Sequence, residues 1–321
     1  MKISVTGSSG FIGSAIVESL KSSEVELLAL ARRKPSISAD LQAAEIDLED
    51  LSSFDVKVLK NCDSLIHTAA RAHIMKNEAQ NPLEEYRKIN CKATLKLAKL
   101  AVAAGVKRFV FLSSIKVNGE LTKPEKPFVT DSHYIPNDPY GLSKYEAEKG
   151  LLEIAKNSDM EVVIIRPPLV YGPGVKGNFS SMATWIKKSI PLPFGAIHNR
   201  RSFVALDNLV DFIILCARID KSPKAANEVF LISDGEDIST SDLLRRVAKA
   251  YGASSRLLPV PVFLMRFTAN ILGRSGVADR LFGNLQIDPS KAYSLLGWKP
   301  IVQMDDQLKK MAEFDEQEKV R

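Results

Sequence analysis

The sequence predicts an α/β fold, a doubly wound parallel sheet followed by a smaller C-terminal α/β lobe, and three observations predict it. A short β-branched run, Lys2 to Thr6, passes through Gly7-Ser8-Ser9-Gly10-Phe11-Ile12-Gly13 into the helical pattern Ser14 to Leu20. Apolar runs then alternate with amphipathic segments as far as Arg166, the pattern of parallel strands joined by crossover helices. From Pro167 the alternation loosens, and Pro167, Pro168, Gly172, Pro173 and Gly174 turn the chain into irregularly spaced segments. A length of 321 residues is long for one core, so the boundary is set there. Residues 1–166 form the first domain and 167–321 mainly the second, with some segments returning to the first.

Composition excludes several classes. With 45% hydrophobic and 26% charged residues the chain is globular, without the signature of disorder. A net charge of +6 and a pI near 9.0 raise nucleic acid as a ligand. The basic residues nevertheless alternate with acids, so they read as solvated faces with some attraction for an anionic small molecule. Cys62, Cys91 and Cys216 are odd in number and widely spaced, with no CxxC pair, which argues against a disulfide framework or a zinc site. Met1-Lys2-Ile3-Ser4-Val5 leads straight into a strand with no signal-peptide core, and Val260 to Leu272 is interrupted by Arg266 and too short to span a bilayer. The expectation is a cytoplasmic protein with no nucleic-acid, membrane or metal partner.

Strand, glycine turn, helix is the context that makes the first stretch a dinucleotide-binding loop. Gly7 permits the tight turn, Gly10 lets backbone approach a pyrophosphate at the helix N-terminus, and Gly13 lets helix and strand pack closely. Phe11 and Ile12 belong to the same cofactor-binding loop. Glu24 to Ala31 reads as the second strand and ends in Ala31-Arg32-Arg33, lacking the acid that an NAD site places on the ribose 2'-hydroxyl. Arg32 and Arg33 therefore favour a 2'-phosphate and NADP, with NAD as the alternative, since a charge-assisted contact is worth about 1.5 to 3 kcal/mol. Asp47-Leu48 follows a third apolar run and places a carboxylate near an adenine amino group.

Ser64 to Ala70 is a buried strand whose small terminal residues, Ala69 and Ala70, suit close passage of a cofactor. His67 and His73 have no metal spacing or nucleophile partner and read as packing residues. Glu84 to Ala104 is a long helical pattern containing Asn90, and Lys107 to Leu112 is a strand ending in Ser113-Ser114-Ile115-Lys116-Val117-Asn118-Gly119. Small hydroxyls at a strand's carboxyl end lie where open α/β sheets bind ligands.

Asp138-Pro139-Tyr140-Gly141-Leu142-Ser143-Lys144 then opens a helix, with Tyr140 and Lys144 one turn apart on one face. Proton transfer by a phenol near neutral pH needs its phenolate stabilised by roughly 3 units, about 4 kcal/mol. A fixed ammonium one turn away supplies part of that. Tyr145 and Lys149 repeat the spacing, but Pro139 suits a helix start and puts Tyr140 at the helix mouth. Tyr140 is read as functional and Tyr145 as structural.

Gly7-x-x-Gly10-x-x-Gly13, His67-x-Ala69-Ala70, Ser113-Ser114 before Val117-x-Gly119, and Tyr140-x-x-x-Lys144 resemble the extended short-chain dehydrogenase/reductase family in order and spacing. Asn90, Arg166-Pro167, Val170-Tyr171-Gly172-Pro173 and Asp288-x-Ser290-Lys291 with Leu296-Gly297-Trp298 are similar to its nucleotide-sugar epimerases, dehydratases and reductases. The resemblance covers nearly the whole chain and implies a Rossmann-like doubly wound parallel sheet with a smaller C-terminal α/β substrate domain. It places the catalytic hydroxyl three positions before Val117, at Ser114. The 26 residues from Ser114 to Tyr140 match the family spacing and select Tyr140 over Tyr145. Asn90 joins the cofactor site with Lys144, which would bind nicotinamide ribose, and Tyr140. Asn178, Arg201 and, as a weaker candidate beside Arg274, Arg280 would hold a nucleoside-diphosphate sugar together with Ser114. The family's Asp after Arg201 is replaced by Ser202.

The implied chemistry is hydride exchange between a nicotinamide and C4 of a nucleotide sugar, expected to be a UDP-sugar, with Tyr140 moving the hydroxyl proton and Ser114 bonding the same oxygen. Dehydration is set aside because Ile115 and Lys116 stand where dehydratases resemble an acid pair. Arg32 and Arg33 tilt the expectation to an NADP-dependent reductase of a UDP-4-keto sugar, resembling UDP-N-acetylquinovosamine dehydrogenases. The alternative is a UDP-hexose 4-epimerase with bound NAD, resembling UDP-glucose 4-epimerases. A reading of another class is a non-catalytic dinucleotide-binding regulator. A homodimer through two helices also resembles the family.

Overall fold

The computed structural model describes residues 1–32, 42–72, 81–131, 134–273 and 275–320. In the first half, β1 (Lys2–Thr6), α1 (Phe11–Lys21), β2 (Glu26–Ala31), β3 (Gln42–Glu45), β4 (Ser64–His67), α2 (Pro82–Tyr86), α3 (Thr94–Ala103), β5 (Arg108–Leu112), α4 (Pro139–Lys156) and β6 (Glu161–Arg166) follow one another. The second half continues with β7 (Leu169–Tyr171), α5 (Asn178–Lys187), β8 (Arg201–Ala205), α6 (Leu206–Ala217), β9 (Val229–Leu231), β10 (Asp237–Ile238) and α7 (Thr240–Ala250). It closes with α8 (Val262–Ile271), α9 (Ser275–Phe282), α10 (Ser290–Leu296) and α11 (Met304–Val320).

Seven strands form one sheet in the order β3-β2-β1-β4-β5-β6-β9, every neighbouring pair parallel. Because a parallel sheet is covered on both faces, its strands read as continuous apolar runs rather than alternating ones, as in Arg-Phe-Val-Phe-Leu of β5 and Glu-Val-Val-Ile-Ile-Arg of β6. Ile3, Val5 and Val110 pack beneath Ile16 and Leu20 of α1 and Leu209 and Phe212 of α6. Leu65, Phe109 and Phe111 face the other way, onto Leu97 and Ala101 of α3 and Ala147 and Leu151 of α4. The strand order reverses between β2 and β4 on either side of β1, which makes the carboxyl ends of these strands the ligand crevice.

The helical pattern from Glu84 to Ala104 is interrupted: residues Arg87–Ala93 form a π-helical stretch between α2 and α3. The extra residue per turn carries Asn90 there, buried against the sheet. A three-stranded sheet, β10-β8-β7, lies in the C-terminal lobe. Phe203 packs there with Phe179, Leu244, Leu308 and Met311. After α6 the chain returns to the large sheet, where β9 pairs with β6. Ile115, Leu231, Leu285 and Ile287 form a small cluster with Phe128, so the turn after β5 is packed directly on the segment beside β8.

Candidate active site

A cavity of about 590 Å³ opens at the carboxyl ends of β1 to β4, lined by Gly7, Gly10, Arg32, Asp47, Leu48, Ala69 and Ala70 among others. Gly7 sits at φ +70°, and a Cβ there would come within 2.8 Å of the Ala69 nitrogen. A Cβ on Gly13 would approach the Gly7 carbonyl to 2.1 Å, so this turn closes only with glycine at both positions. Gly10 caps α1 without a side-chain hydrogen bond, and the first turn of α1 holds no acid. A helix start left uncapped over a backbone cradle suits a pyrophosphate, so these residues fit a dinucleotide. Phe11 and Ile12 open α1 and are half-buried, packed on the core beneath the loop.

The rim of the cavity carries acids beside the arginine expected there. Arg32 is exposed on it, and Arg33 lies outside the described residues. Acids that β2 does not provide come from the next loop: Asp47 and Glu49 line the same cavity as Arg32. A hydrogen bond from Lys88, with Arg71 and Arg32 nearby, holds the Glu49 carboxyl below its usual range. Arg71 pairs with both Glu49, at 3.1 Å, and Glu85. Asp47 accepts the Glu49 N–H at 2.9 Å, which fixes the loop as an Asx-type turn.

Asn90 does not contact the cavity directly. Fully buried, its side chain accepts the Arg71 N–H at 2.8 Å and donates to the Arg71 carbonyl and to Ser143 Oγ, both at 3.1 Å. It therefore fixes the backbone beyond Ala70. His67 has the packing role expected: it is buried between Thr6 and Thr94, at 2.7 and 3.0 Å, and burial takes its pKa down to about 3. His73 lies outside the described residues.

Tyr140 and Ser114 are brought into contact by the start of α4 and the turn after β5, and Lys144 follows one turn along α4. Asp138 caps α4, accepting the Gly141 N–H at 3.1 Å with Pro139 in the first turn, so Tyr140 stands at the helix mouth as its sequence context required. Burial pushes the Tyr140 phenol up to about 12; a hydrogen bond with Ser114 pulls the other way, and Asp138 and Tyr86 add to the rise. The edge of the Tyr86 ring meets Tyr140 at a centroid distance of 5.7 Å. Lys144 is 2% exposed, donates to the Leu112 carbonyl at 2.9 Å and lies 4.4 Å from the Phe111 ring centre. Burial lowers its pKa to about 7, opposed by Glu148. The Lys116 ammonium lies 6.0 Å from the Tyr140 ring centre and pairs with Asp138 at 3.0 Å and Glu120 at 3.1 Å. The Lys144 nitrogen is held at the end of β5 by its bond to the Leu112 carbonyl. Tyr145 carries Lys149 over its ring at 5.6 Å, away from these groups.

Behind Lys144 lies a buried cluster that the sequence reading passed over. Glu148, one turn further along α4, binds the Arg166 guanidinium through both oxygens, at 2.6 Å in the shortest contact, and accepts from Ser113; Arg166 also reaches Asn118 at 2.9 Å. The Lys144-x-x-x-Glu148 spacing was the available signal.

Arg201, at the start of β8, is half-buried, donates to the Gly283 carbonyl at 3.0 Å, and has its pKa brought down to about 10 by burial. Among the described residues no acid is paired with it. Ser202, the departure from the family pattern, is buried and donates to Asp237 of β10 at 2.5 Å while accepting the Ile287 N–H at 2.9 Å. Asn178 opens α5 after Gly177, but its side chain lies outside the described residues. Arg280 is exposed on α9 and donates to the Gly276 carbonyl of its own helix at 3.0 Å; nothing in that contact joins it to Arg201. Arg274 lies outside the described residues.

Residues 3–232 match the model of the NAD dependent epimerase/dehydratase family. The chain belongs to this family. Its membership makes it an enzyme of the extended short-chain dehydrogenase/reductase type, and the non-catalytic regulator falls away. Across 313 residues, 97% of this chain and 94% of the relative, it is 46% identical to a UDP-glucose 4-epimerase of Vibrio cholerae. In fold it is similar to UDP-glucuronic acid 4-epimerase from Bacillus cereus in complex with NAD, with a TM-score of 0.78 at 23% identity and 99% of each chain covered. It is likewise similar to UDP-glucose 4-epimerase from Thermotoga maritima with UDP-glucose, at 0.77, 24% identity and 99% of each chain. Among the described residues no helix is long and apolar enough to cross a membrane.

Proposed function

We propose that this family member is an NAD-dependent 4-epimerase of UDP-hexoses. The 46% identity to the Vibrio cholerae UDP-glucose 4-epimerase, sustained over 97% of the chain, carries the proposal. It reverses the preference for an NADP-dependent reductase drawn from Arg32 and Arg33. The acidic rim supports NAD: Asp47 and Glu49 beside Arg32 would repel a 2'-phosphate and suit ribose hydroxyls. In the same reading residues 1–166 bind the dinucleotide, residues 167–321 mainly hold the UDP-sugar, and the enzyme works in the cytoplasm, where three buried free cysteines stay reduced.

Gly7, Gly10 and the start of α1 would hold the pyrophosphate, and NAD, when bound, supplies reversible hydride acceptance. Tyr140 takes the proton from the sugar O4 as that carbon is oxidised and returns it when the opposite face is reduced. Ser114 bonds the same oxygen and the phenol, keeping both in one line. Arg201, half-buried and without an acidic partner among the described residues, is suited to the diphosphate, which would repay its desolvation. Lys144 sits at the end of β5, where it can donate to a nicotinamide ribose.

The test is a pair of reactions with purified protein. Incubation with UDP-glucose should yield UDP-galactose with no net change in nicotinamide absorbance. Stoichiometric NADPH oxidation with a UDP-4-keto sugar, without interconversion of the two hexoses, would refute the epimerase and restore the reductase, the reading that exposed Arg32 on the cavity rim favours.

A further inference from the structure

The segment from Ser254 to Gly283 carries four arginines and a single aspartate, a net +3, half of the chain's +6 in thirty residues. Within it, ten-residue α8 buries one side chain, Met265. Phe263 (69% exposed), Phe267 (63%) and Ile271 (69%) stand at four-residue spacing, flanked by Leu264 (45%) and Leu272 (70%). At 100° per residue these five side chains cover about half of the helix circumference, while Met265 and Arg266 lie on the other half. Val277 of α9 (45%) and Leu258 (51%) add to the exposed apolar residues of the segment. Helices in folded proteins gain most of their stability from burying an apolar face, and this one presents that face outward.

The charges choose the occupant. Asp279, the segment's single acid, is already paired with Arg266 at 2.6 Å. Arg256 and Arg280 are exposed, and among the described residues neither has an acidic partner. A second copy docking through α8 about a two-fold axis would bring this same cationic segment against itself. An anionic lipid surface is complementary on both counts, taking apolar side chains into the acyl boundary and arginines at the headgroups. We propose that α8 is an interfacial anchor by which this enzyme binds reversibly to membranes containing anionic phospholipid, with Phe263 and Phe267 as the inserted side chains. A UDP-sugar formed in the cytoplasm would then be released beside the membrane.

Co-sedimentation of the full-length protein with phosphatidylcholine vesicles, with and without phosphatidylglycerol, tests this. Binding is expected only to the anionic vesicles, weakening as salt is raised. The double variant Phe263→Ser, Phe267→Ser should bind at least about tenfold less, while its sugar-nucleotide turnover in vesicle-free buffer and its circular dichroism match wild type. Leu272→Ser, a single change at the far end of the same face, should weaken binding in the same direction and serves if the double variant misfolds. Absence of vesicle binding, equal binding to neutral and anionic vesicles, or binding indifferent to these substitutions would overturn the proposal. So would a concentration-dependent dimer, lost in the double variant, from protein that ignores vesicles.

Discussion

Replacing Lys144 with methionine should stabilise the protein at low pH while abolishing its turnover. The lysine is 2% exposed, and its pKa falls from 10.5 to about 7 because burial disfavours the ammonium. Below pH 7 both folded and unfolded chains carry the charge, so the folded state bears the whole shift, at most about 5 kcal/mol at 1.36 kcal/mol per unit. Between pH 7 and 10.5 the unfolded chain holds a proton that the folded one has released, so wild-type stability rises with pH across that window. Methionine removes this cost but also the charged hydrogen bond to the Leu112 carbonyl, worth about 1.5 to 3 kcal/mol. The net gain should be about 2 to 3 kcal/mol at pH 6 and close to zero at pH 9. Urea unfolding of both proteins at those two pH values, without added nucleotide, measures it, because other titrating groups largely cancel in the difference. A gap that does not change with pH, or a methionine variant less stable at pH 6, would refute the assignment of burial as the dominant cause.

Three further outcomes follow from the site. Tyr140→Phe should lower epimerisation of UDP-glucose by about a hundredfold or more while sparing NAD binding, and Tyr145→Phe should do little; two variants of equal activity would remove the distinction between the tyrosines. Arg201→Ala should weaken UDP binding in a calorimetric titration by about 2 to 4 kcal/mol with NAD affinity unchanged, an unchanged UDP affinity taking Arg201 out of the site. Glu148→Gln strands the Arg166 guanidinium in a pocket where the two side chains are 3% and 10% exposed. It should cost about 3 to 5 kcal/mol in urea unfolding, and a loss under about 1 kcal/mol, typical of exposed pairs, would show that water reaches the pair.

The sheet and the glycine turn were legible because their signals are local. Apolar runs between amphipathic segments specify parallel strands, and a turn in which a Cβ at Gly13 would approach the Gly7 carbonyl to 2.1 Å admits no other residue. Tyr140 could be preferred to Tyr145 for a similar reason, since Asp138 and Pro139 mark the helix start. What sequence did not convey was set across the fold. Asp47 was legible as a cofactor residue, but Glu49 joins it on the rim beside Arg32 only because the fold brings the loop after β3 to the end of β2. Asn90 was legible as special, but the π-helical stretch that holds it inside a uniform helical pattern and its bonds to the Arg71 backbone were not. The partner of Ser202 is Asp237, 35 residues on, reached through the antiparallel pairing of β10 with β8.

Burial moves Tyr140 and Lys144 in opposite directions, the phenol to about 12 and the ammonium to about 7, and both shifts favour the neutral form. Near neutrality the tyrosine therefore keeps its proton, the state required to protonate O4 when a 4-keto sugar is reduced. Working in the other direction, as a base, it needs a compensating charge. An ammonium at the 6.0 Å separation of Lys116 from the ring would stabilise a phenolate by about 3 kcal/mol at an effective dielectric near 20. Lys116 is nevertheless tied to Asp138 and Glu120, and Asp138 itself raises the phenol pKa, so most of that benefit is cancelled. Of the contacts among the described residues, the Ser114 hydrogen bond alone favours phenolate without an opposing carboxylate. In the proposed reaction that would give the hydroxyl a task beyond orienting the sugar: it would stabilise the charged form of the base in the step where O4 loses its proton, and strengthen as that charge develops.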